Sequence, residues 1–253
     1  MHKQMTQYSN APLTARSVLA STLLGAEPPL LPVAYLVHVA GLFGINENRA
    51  RVALSRMVAS GEATTDGTGR YRLAGHLLDR QARQRASRAG RTRPWSGAWV
   101  VVIAEPGSPA DVRAARRRAM GLARMGERRE GVWMRPDNLD GDLDPAMTEG
   151  LMVLAARPEG DGLDLAARLW DLDGWVRGAG ALLASLDELP PRGPDDLAPG
   201  FELSAAVLRH FQADPLLPDP LLPAGWPGDR LRRRYREWDA EYRRVLARWS
   251  RSG

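Results

Sequence analysis

One change of period constrains this chain more than any other feature. Ala50, Ala53, Leu54, Met57 and Val58 recur at helical spacing. After Gly61 the pattern switches. Glu62 to Thr65 and Arg70 to Leu73 are two short alternating segments on either side of Asp66-Gly67-Thr68-Gly69. An Asp-Gly turn between alternating segments predicts a hairpin. A helix that ends at a glycine and passes directly into a hairpin fits few folds.

The residues before it narrow the choice. Thr14 to Leu24 reads as a short helix capped by Thr14, with Val18, Leu19, Thr22 and Leu23 on one face. Gly25 ends it, and Glu27-Pro28-Pro29 forms a loop. Pro32 suits the first turn of a second helix, Val33 to Ala40. Gly41 and Gly44 bracket a tight turn. Asn46 then caps a third helix over Glu47 to Ser60, and Glu47 adds favourable charge at its start.

Helix, helix, turn, helix and hairpin in succession is the layout of a winged helix-turn-helix domain. Asn48, Arg51, Val52 and Ser55 lie opposite the apolar stripe of the third helix, flanked by Arg49 and Arg56. Arginine forks onto guanine and asparagine pairs with adenine, so this face suits the edges of bases in a major groove. Arg70 and Arg72 on the hairpin suit phosphate or the minor groove. A solvated amphipathic helix would show the same arginines, and the turn and hairpin around it argue against that blander reading.

Gly75 to Arg93 is polar and arginine-rich. It reads as a helix over Leu77 to Ala89 followed by a linker, with its arginines solvated or touching phosphate. Trp99 to Ala104 reads as a buried strand, and Pro109 to Ala123 as a helix with Val112, Ala115, Ala119 and Leu122 inward. Gly131 to Pro136 and Gly150 to Ala156 are strands, and Leu163 to Asp171 is a short helix. This order suggests a small ferredoxin-like domain. Trp95, Trp99 and Trp133 belong to its core or line a cavity. Helices are expected over Gly174 to Leu189, Leu203 to Phe211 and Asp229 to Trp249, with a proline-rich connection from Asp214 to Gly228. The last helix presents Leu231, Tyr235, Trp238, Tyr242, Val245 and Trp249 on one face.

The expected architecture is therefore α+β and multidomain. Residues 1–75 form the winged helix-turn-helix domain and 76–94 a helical linker. Residues 95–173 form the ferredoxin-like domain and 174–253 a helical C-terminal domain.

Charge supports a division of labour. The chain has 253 residues and a net charge of +5, and of its 35 basic residues only Lys3 is a lysine. Guanidinium groups favour planar, bidentate contacts to phosphate and carboxylate. Residues 1–94 carry +8, 95–136 carry +4, 137–200 carry −10 and 201–253 carry +3. A basic first third points to a polyanionic partner. The absence of cysteine excludes disulfides, thiolate zinc sites and a cysteine nucleophile. No apolar run reaches the ~20 residues of a membrane span. Met1 to Leu13 lacks the apolar stretch of a signal peptide, so a cytoplasmic location is expected.

Several pieces in this order resemble the PaaX family of bacterial transcriptional regulators. They are Thr14-Ala15-Arg16-Ser17 with Leu24-Gly25, then Phe43-Gly44-Ile45-Asn46 leading into Arg51 to Val58 and Gly61. Trp95-Ser96-Gly97-Ala98-Trp99 and Gly131 to Pro136 follow. The last are Asp214-Pro215 and Leu221 to Gly228. The resemblance implies a three-part repressor that binds a palindromic operator in double-stranded DNA as a homodimer. It implies release by a small-molecule effector, phenylacetyl-CoA in the founding members, with an aryl-acyl-CoA or related catabolite as the class. It assigns DNA contact to Asn48, Arg49, Arg51, Ser55, Arg56, Arg70 and Arg72, and it locates no effector residue.

The sequence offers little for catalysis. No nucleophile elbow, phosphate loop or dinucleotide fingerprint is present. Asp137, Asp140, Asp142 and Asp144 alternate like a calcium loop, but Thr148 stands where the bidentate Glu belongs. The central domain is also similar to small CRISPR-associated nuclease subunits, yet its first strand ends Ala104-Glu105-Pro106 without their metal-binding Asp. The expectation is a non-enzyme with no metal or cofactor. The alternative is a metal-dependent nuclease or CoA-handling enzyme joined to a DNA-binding module. Arg113, Arg116, Arg117, Arg118, Arg128 and Arg129 form a cationic cluster available to CoA phosphates.

Overall fold

The computed structural model describes residues 13–26, 30–141 and 143–251. The loop expected over Glu27-Pro28-Pro29, the reading of Met1 to Pro12 and the place of Asp142 lie outside them. The described chain is a mixed α/β structure with ten α-helices and two small antiparallel sheets. Its contacts gather into two compact units. The first joins residues up to Arg88 with Ala181–Gln212 and the chain from Arg230 on. The second joins Ala89–Gly180 with Ala213–Asp229. Among the described residues, no helix is long and apolar enough to cross a membrane.

The first unit opens with α1 (Ala15–Leu24), β1 (Leu30–Pro32), α2 (Val33–Gly41) and α3 (Glu47–Ala59). Side chains set both expected starts. Thr14 accepts a hydrogen bond from the Ser17 amide at 3.1 Å, and Asn46 accepts one from the Arg49 amide at 2.9 Å. β2 (Ala63–Thr65) and β3 (Arg70–Leu73) form the expected hairpin in the register Ala63↔Leu73, Thr64↔Arg72 and Thr65↔Tyr71. β1 adds a third strand on the other side of β3, pairing Leu30 with Arg72 and Pro32 with Arg70. Pro32 thus ends a strand and caps α2 instead of sitting inside its first turn. A three-residue strand has no period of its own; pairing with β3 creates it.

Val18, Leu19, Leu23, Leu36, Ala50, Leu54, Met57, Leu73 and Leu77 are buried in one core. Burying each of the larger aliphatic side chains is worth about 1.5–3 kcal/mol before entropy is counted. Leu77 belongs to α4 (His76–Ala89), the arginine-rich segment, which is docked on this core. The turn into α4 needs glycine. Gly75 has φ +52°, and a Cβ there would stand 2.7 Å from the Gly61 carbonyl oxygen.

The later part of this unit is helical. The C-terminal half of α8 (Leu172–Glu188) packs with α9 (Leu197–Gln212) and α10 (Gly228–Trp249). Tyr235, Trp238 and Tyr242 stack in sequence along α10 with ring centroids 6.3 and 5.2 Å apart. Their polar atoms are satisfied: Trp238 Nε1 donates to the Leu189 carbonyl, Tyr242 to the Leu197 carbonyl, and Tyr235 bonds Ser204. Gly200 lets α9 approach this stack, since a Cβ there would meet the Tyr242 ring at 2.7 Å.

The second unit holds β4 (Trp99–Ile103), α5 (Ala110–Leu122), β5 (Gly126–Arg129), β6 (Val132–Pro136), α6 (Pro145–Thr148), β7 (Met152–Ala156) and α7 (Gly162–Leu169). The sheet order is β5-β6-β4-β7, with every neighbouring pair antiparallel. Trp99 and Val101 face Ala166, Leu172, Leu217 and Leu221, while Val102 and Trp133 face Met120 and Met125. Trp99 and Trp133 are thus core residues, and Trp95 packs edge-on against Trp99.

Three details depart from expectation. Leu122 is 59% exposed and Ala115 is exposed too; the buried face of α5 turns toward Met120 instead. β5, a polar Gly-Glu-Arg-Arg strand at the sheet edge, forms through its pairing with β6. α6 is a single turn whose start is capped by Asp144.

Candidate nucleic-acid interface

The expected α3 face is present as drawn. Ala50, Leu54 and Met57 are buried, and Asn48, Arg49, Arg51, Ser55 and Arg56 are exposed. One helix therefore carries three guanidiniums, an amide and a hydroxyl toward solvent. Arg51 is already oriented, with its Nε donating to Glu47 one turn earlier at 2.7 Å. Val52 sits among these polar groups and is 42% exposed. An apolar side chain at an outward position suits the methyl group of thymine. The helical period places Val52 on this face, although the resemblance assigns it no contact.

The hairpin holds its arginines by strand geometry. Along β3, Tyr71 and Leu73 turn inward, so Arg70 and Arg72 share the opposite, exposed face. Asp66 fastens the tip. Its Oδ1 accepts from the Thr68 amide at 2.9 Å, the Thr68 hydroxyl at 2.8 Å and the Arg70 amide at 3.2 Å. The Thr68 bonds hold this carboxyl below the usual aspartate range. Gly67 and Gly69 supply the positive φ values of the turn.

An ion pair braces the junction between α3 and the hairpin. Arg16 Nε on α1 donates to Glu62 Oε2 at 2.8 Å, and its Nη2 donates to Oε1. Glu62 is buried, and the Arg16 guanidinium holds its carboxyl below the ordinary range. The Glu62 amide also donates to the Met57 carbonyl, and its carbonyl accepts from Ala74. The last turn of α3 is thereby tied to both ends of the hairpin.

Elsewhere the expected sites divide. Two of the six arginines in the second unit's cluster pair with carboxylates, and a third bonds a hydroxyl. Arg117 pairs with Glu127 at 2.6 Å, Arg113 with Glu130 at 3.1 Å, and Arg116 donates to the Ser108 hydroxyl. Glu105 is exposed just beyond β4. Asp137 pairs with Arg93. Among the described residues, no group of three or more His, Asp or Glu side chains gathers as a metal site would.

The sequence reading passed over α4 as a working part of the first unit. Arg88 on α4 and Arg243 on α10 both donate to Asp239 Oδ2 at 2.9 Å, and Asp239 is 6% exposed. A buried helix position filled by Gln81 instead of an aliphatic residue concealed this docking.

Comparison with known proteins agrees with the sequence resemblance. The model of the PaaX-like protein family matches residues 14–77, which span α1 through the hairpin to the first turn of α4. The fold is similar to that of the uncharacterized protein Rv0674 from Mycobacterium tuberculosis. The TM-score is 0.74 and the sequence identity 42%, over 92% of this chain and 97% of that one. No curated protein matches the chain. The chain belongs to the PaaX-like family.

Proposed function

We propose that this chain is a sequence-specific DNA-binding transcriptional regulator, a repressor released from a palindromic operator by a small effector such as an aryl-acyl-CoA. The observation that carries the reading is the α3 outer face. It is an exposed, cation-rich helix surface with hydrogen-bonding groups, ahead of a hairpin that exposes Arg70 and Arg72. In this reading residues 14–73 form a winged helix. α3 enters the major groove, Arg49, Arg51 and Arg56 reach guanine edges or phosphate, and Asn48 and Ser55 bond base edges. The β5-β6-β4-β7 order supports a ferredoxin-like second part. The protein acts by binding rather than catalysis, in the cytoplasm.

The active form is a homodimer, since two α3 helices about one DNA turn apart match a palindrome. β7 supports this. It is the sheet's edge, and Met152, Val153 and Leu154 are all more than 40% exposed. An open apolar edge is a template for another strand, and β7 of a second copy satisfies it.

The test is fluorescence anisotropy with a labelled fragment from upstream of the chain's own gene. Binding that falls with salt and weakens at least about tenfold in Arg51→Ala and Arg56→Ala supports the reading. Unchanged binding in both variants overturns the site. Cleavage of the fragment in magnesium overturns the non-enzyme reading.

A further inference from the structure

The second unit contains a cavity of about 460 Å³, the size of a small-molecule site, that lies wholly within it. The end of β4, the loop after it, α5, β5 and β6 form the wall. Trp133 on β6 lines the cavity and is 4% exposed. Among the described residues, its indole Nε1–H has no hydrogen-bond partner. A buried donor of this kind calls for an acceptor, because stranding one costs stability. The charges around it fall into two sets. Arg117 is neutralised by Glu127 at 2.6 Å and Arg113 by Glu130 at 3.1 Å. Arg116 and Arg129 also line the cavity and stand outside these pairs. Arg116 donates to the neutral Ser108 hydroxyl at 2.7 Å. The exposed Arg129 side chain has no partner among the described residues. Glu105, exposed just beyond β4, is the one lining carboxylate outside the pairs.

We propose that this cavity binds a small phosphate monoester with a hydroxylated body. Three donor groups on three elements supply the site: Arg116 on α5, Arg129 on β5 and Trp133 on β6. A phosphate group presents three terminal oxygens and a carboxylate two, so phosphate uses the whole set. Guanidiniums take such oxygens through planar, charge-assisted hydrogen bonds, and the indole N–H takes the deepest one. The two arginines outside the ion pairs also match the charge of a phosphate monoester, about −1.5 to −2 at neutral pH. Glu105 gives the body its partner. A carboxylate accepts hydroxyl donors, and it disfavours a second anionic group at the mouth.

The position gives the occupant a structural effect. Arg129 ends β5, the polar strand at the sheet's edge, and Arg116 lies on the helix before it. A ligand held by both ties α5 to that edge, and any ligand that binds only the folded chain stabilises it by mass action. The site is built from the second unit alone, so it is independent of the DNA-binding reading.

The experiment uses the full chain with isotope-labelled tryptophan side chains, followed by nuclear magnetic resonance without DNA. The Trp133 indole signal is identified among the eight tryptophans by its loss in Trp133→Phe. Ribose 5-phosphate is the probe, ribose the neutral control, and glycerate the hydroxylated carboxylate. The expected result is a saturable downfield shift of the Trp133 N–H proton at one site per chain. Half-saturation is expected to weaken at least about tenfold in Arg116→Gln and Arg129→Gln. It is expected to stay unchanged in Arg177→Gln, which removes an exposed arginine outside the cavity. Arg129 is exposed, so its variant is expected to keep the parent's circular dichroism spectrum and melting midpoint. Inorganic phosphate that binds at least about tenfold more weakly than the ester supports recognition of the body. Equal binding of the two keeps the phosphate site and overturns the hydroxylated body. The proposal is overturned by a Trp133 signal that does not move, by an equal shift with ribose or glycerate, or by unchanged half-saturation in a folded Arg129→Gln chain. None of these outcomes bears on operator binding, so the site and the regulator stand or fall separately.

Discussion

The side-chain amide of Gln81 donates to the Leu24 carbonyl at 3.1 Å, from a residue only 4% exposed. It also reaches the Leu23 carbonyl at 3.4 Å. The last carbonyls of a helix have no partner within it. Here α4 supplies one to α1, so the arginine-rich segment is part of the first unit's fold. Gln81→Leu keeps the volume and removes the donor. It is expected to lower stability by about 1–2 kcal/mol, the cost of stranding buried carbonyls, read as a shift in urea midpoint at unchanged m.

The bond from Arg51 to Glu47 makes a different prediction. Glu47 lies at the α3 N-terminus, where its charge favours the helix but would oppose phosphate in the proposed complex. Glu47→Gln removes a repulsive charge and frees Arg51. Affinity for duplex DNA is expected to rise several-fold, roughly 1 kcal/mol, while melting changes by only a few tenths of a kcal/mol. Weaker binding in this variant would mean that Glu47 orients Arg51 for contact.

The pair of Arg16 and Glu62 sets an acid limit. The Glu62 carboxyl is held below its ordinary value of 4.5 because Arg16 donates to it. A depressed folded-state value means that its stabilisation is complete above the ordinary range. It is lost as pH falls through the folded value. Glu62→Gln is therefore expected to flatten the fall of melting temperature on the acid side of 4.5 and to cost roughly 1 kcal/mol at neutral pH. Parallel curves for both chains would remove Glu62 from the acid transition.

Arg135 is the opposite case. It is 5% exposed on β6, and among the described residues its Nε and Nη1 have no hydrogen-bond partner. Burial lowers its pKa from the ordinary arginine value. A buried, under-satisfied charge costs stability that an apolar side chain of similar length does not. Arg135→Met is expected to melt at the same temperature or higher, by about 1–2 kcal/mol in stability. A clear drop would reveal a partner for the guanidinium in the working assembly.

The edge strand predicts a change of mass. Leu154→Lys places a charge on the exposed side of β7, the means by which natural sheets protect open edges. In light scattering the parent is expected at twice the chain mass and the variant at one. A variant that stays dimeric moves the interface elsewhere.

What the sequence disclosed and what it hid follow from the range of the forces involved. α1, α3 and the hairpin were readable because Thr14, Asn46, Gly61 and Asp66 act on neighbours within a few residues. The outer face of α3 followed from the same period. β1 and β5 exist through distant partners, so their own residues carry little trace of them. Leu122 misled because the buried face of α5 is centred toward Met120, about 200° around the helix from it.

The first unit is discontinuous: its two final segments complete a body begun by the first 88 residues. On a ribosome, the earliest part of the chain to emerge must wait for the latest. Phe201, which packs edge-on against Phe43 at 5.0 Å, arrives only after Ala89–Gly180 has been made, and the aromatic ladder of α10 only after Ala213–Asp229 as well. A chain that stops before α9 lacks Phe201, and with it the cover over Phe43 and its neighbours in the first core. The order of assembly is thus a form of proofreading: only a chain read through α10 completes the first unit.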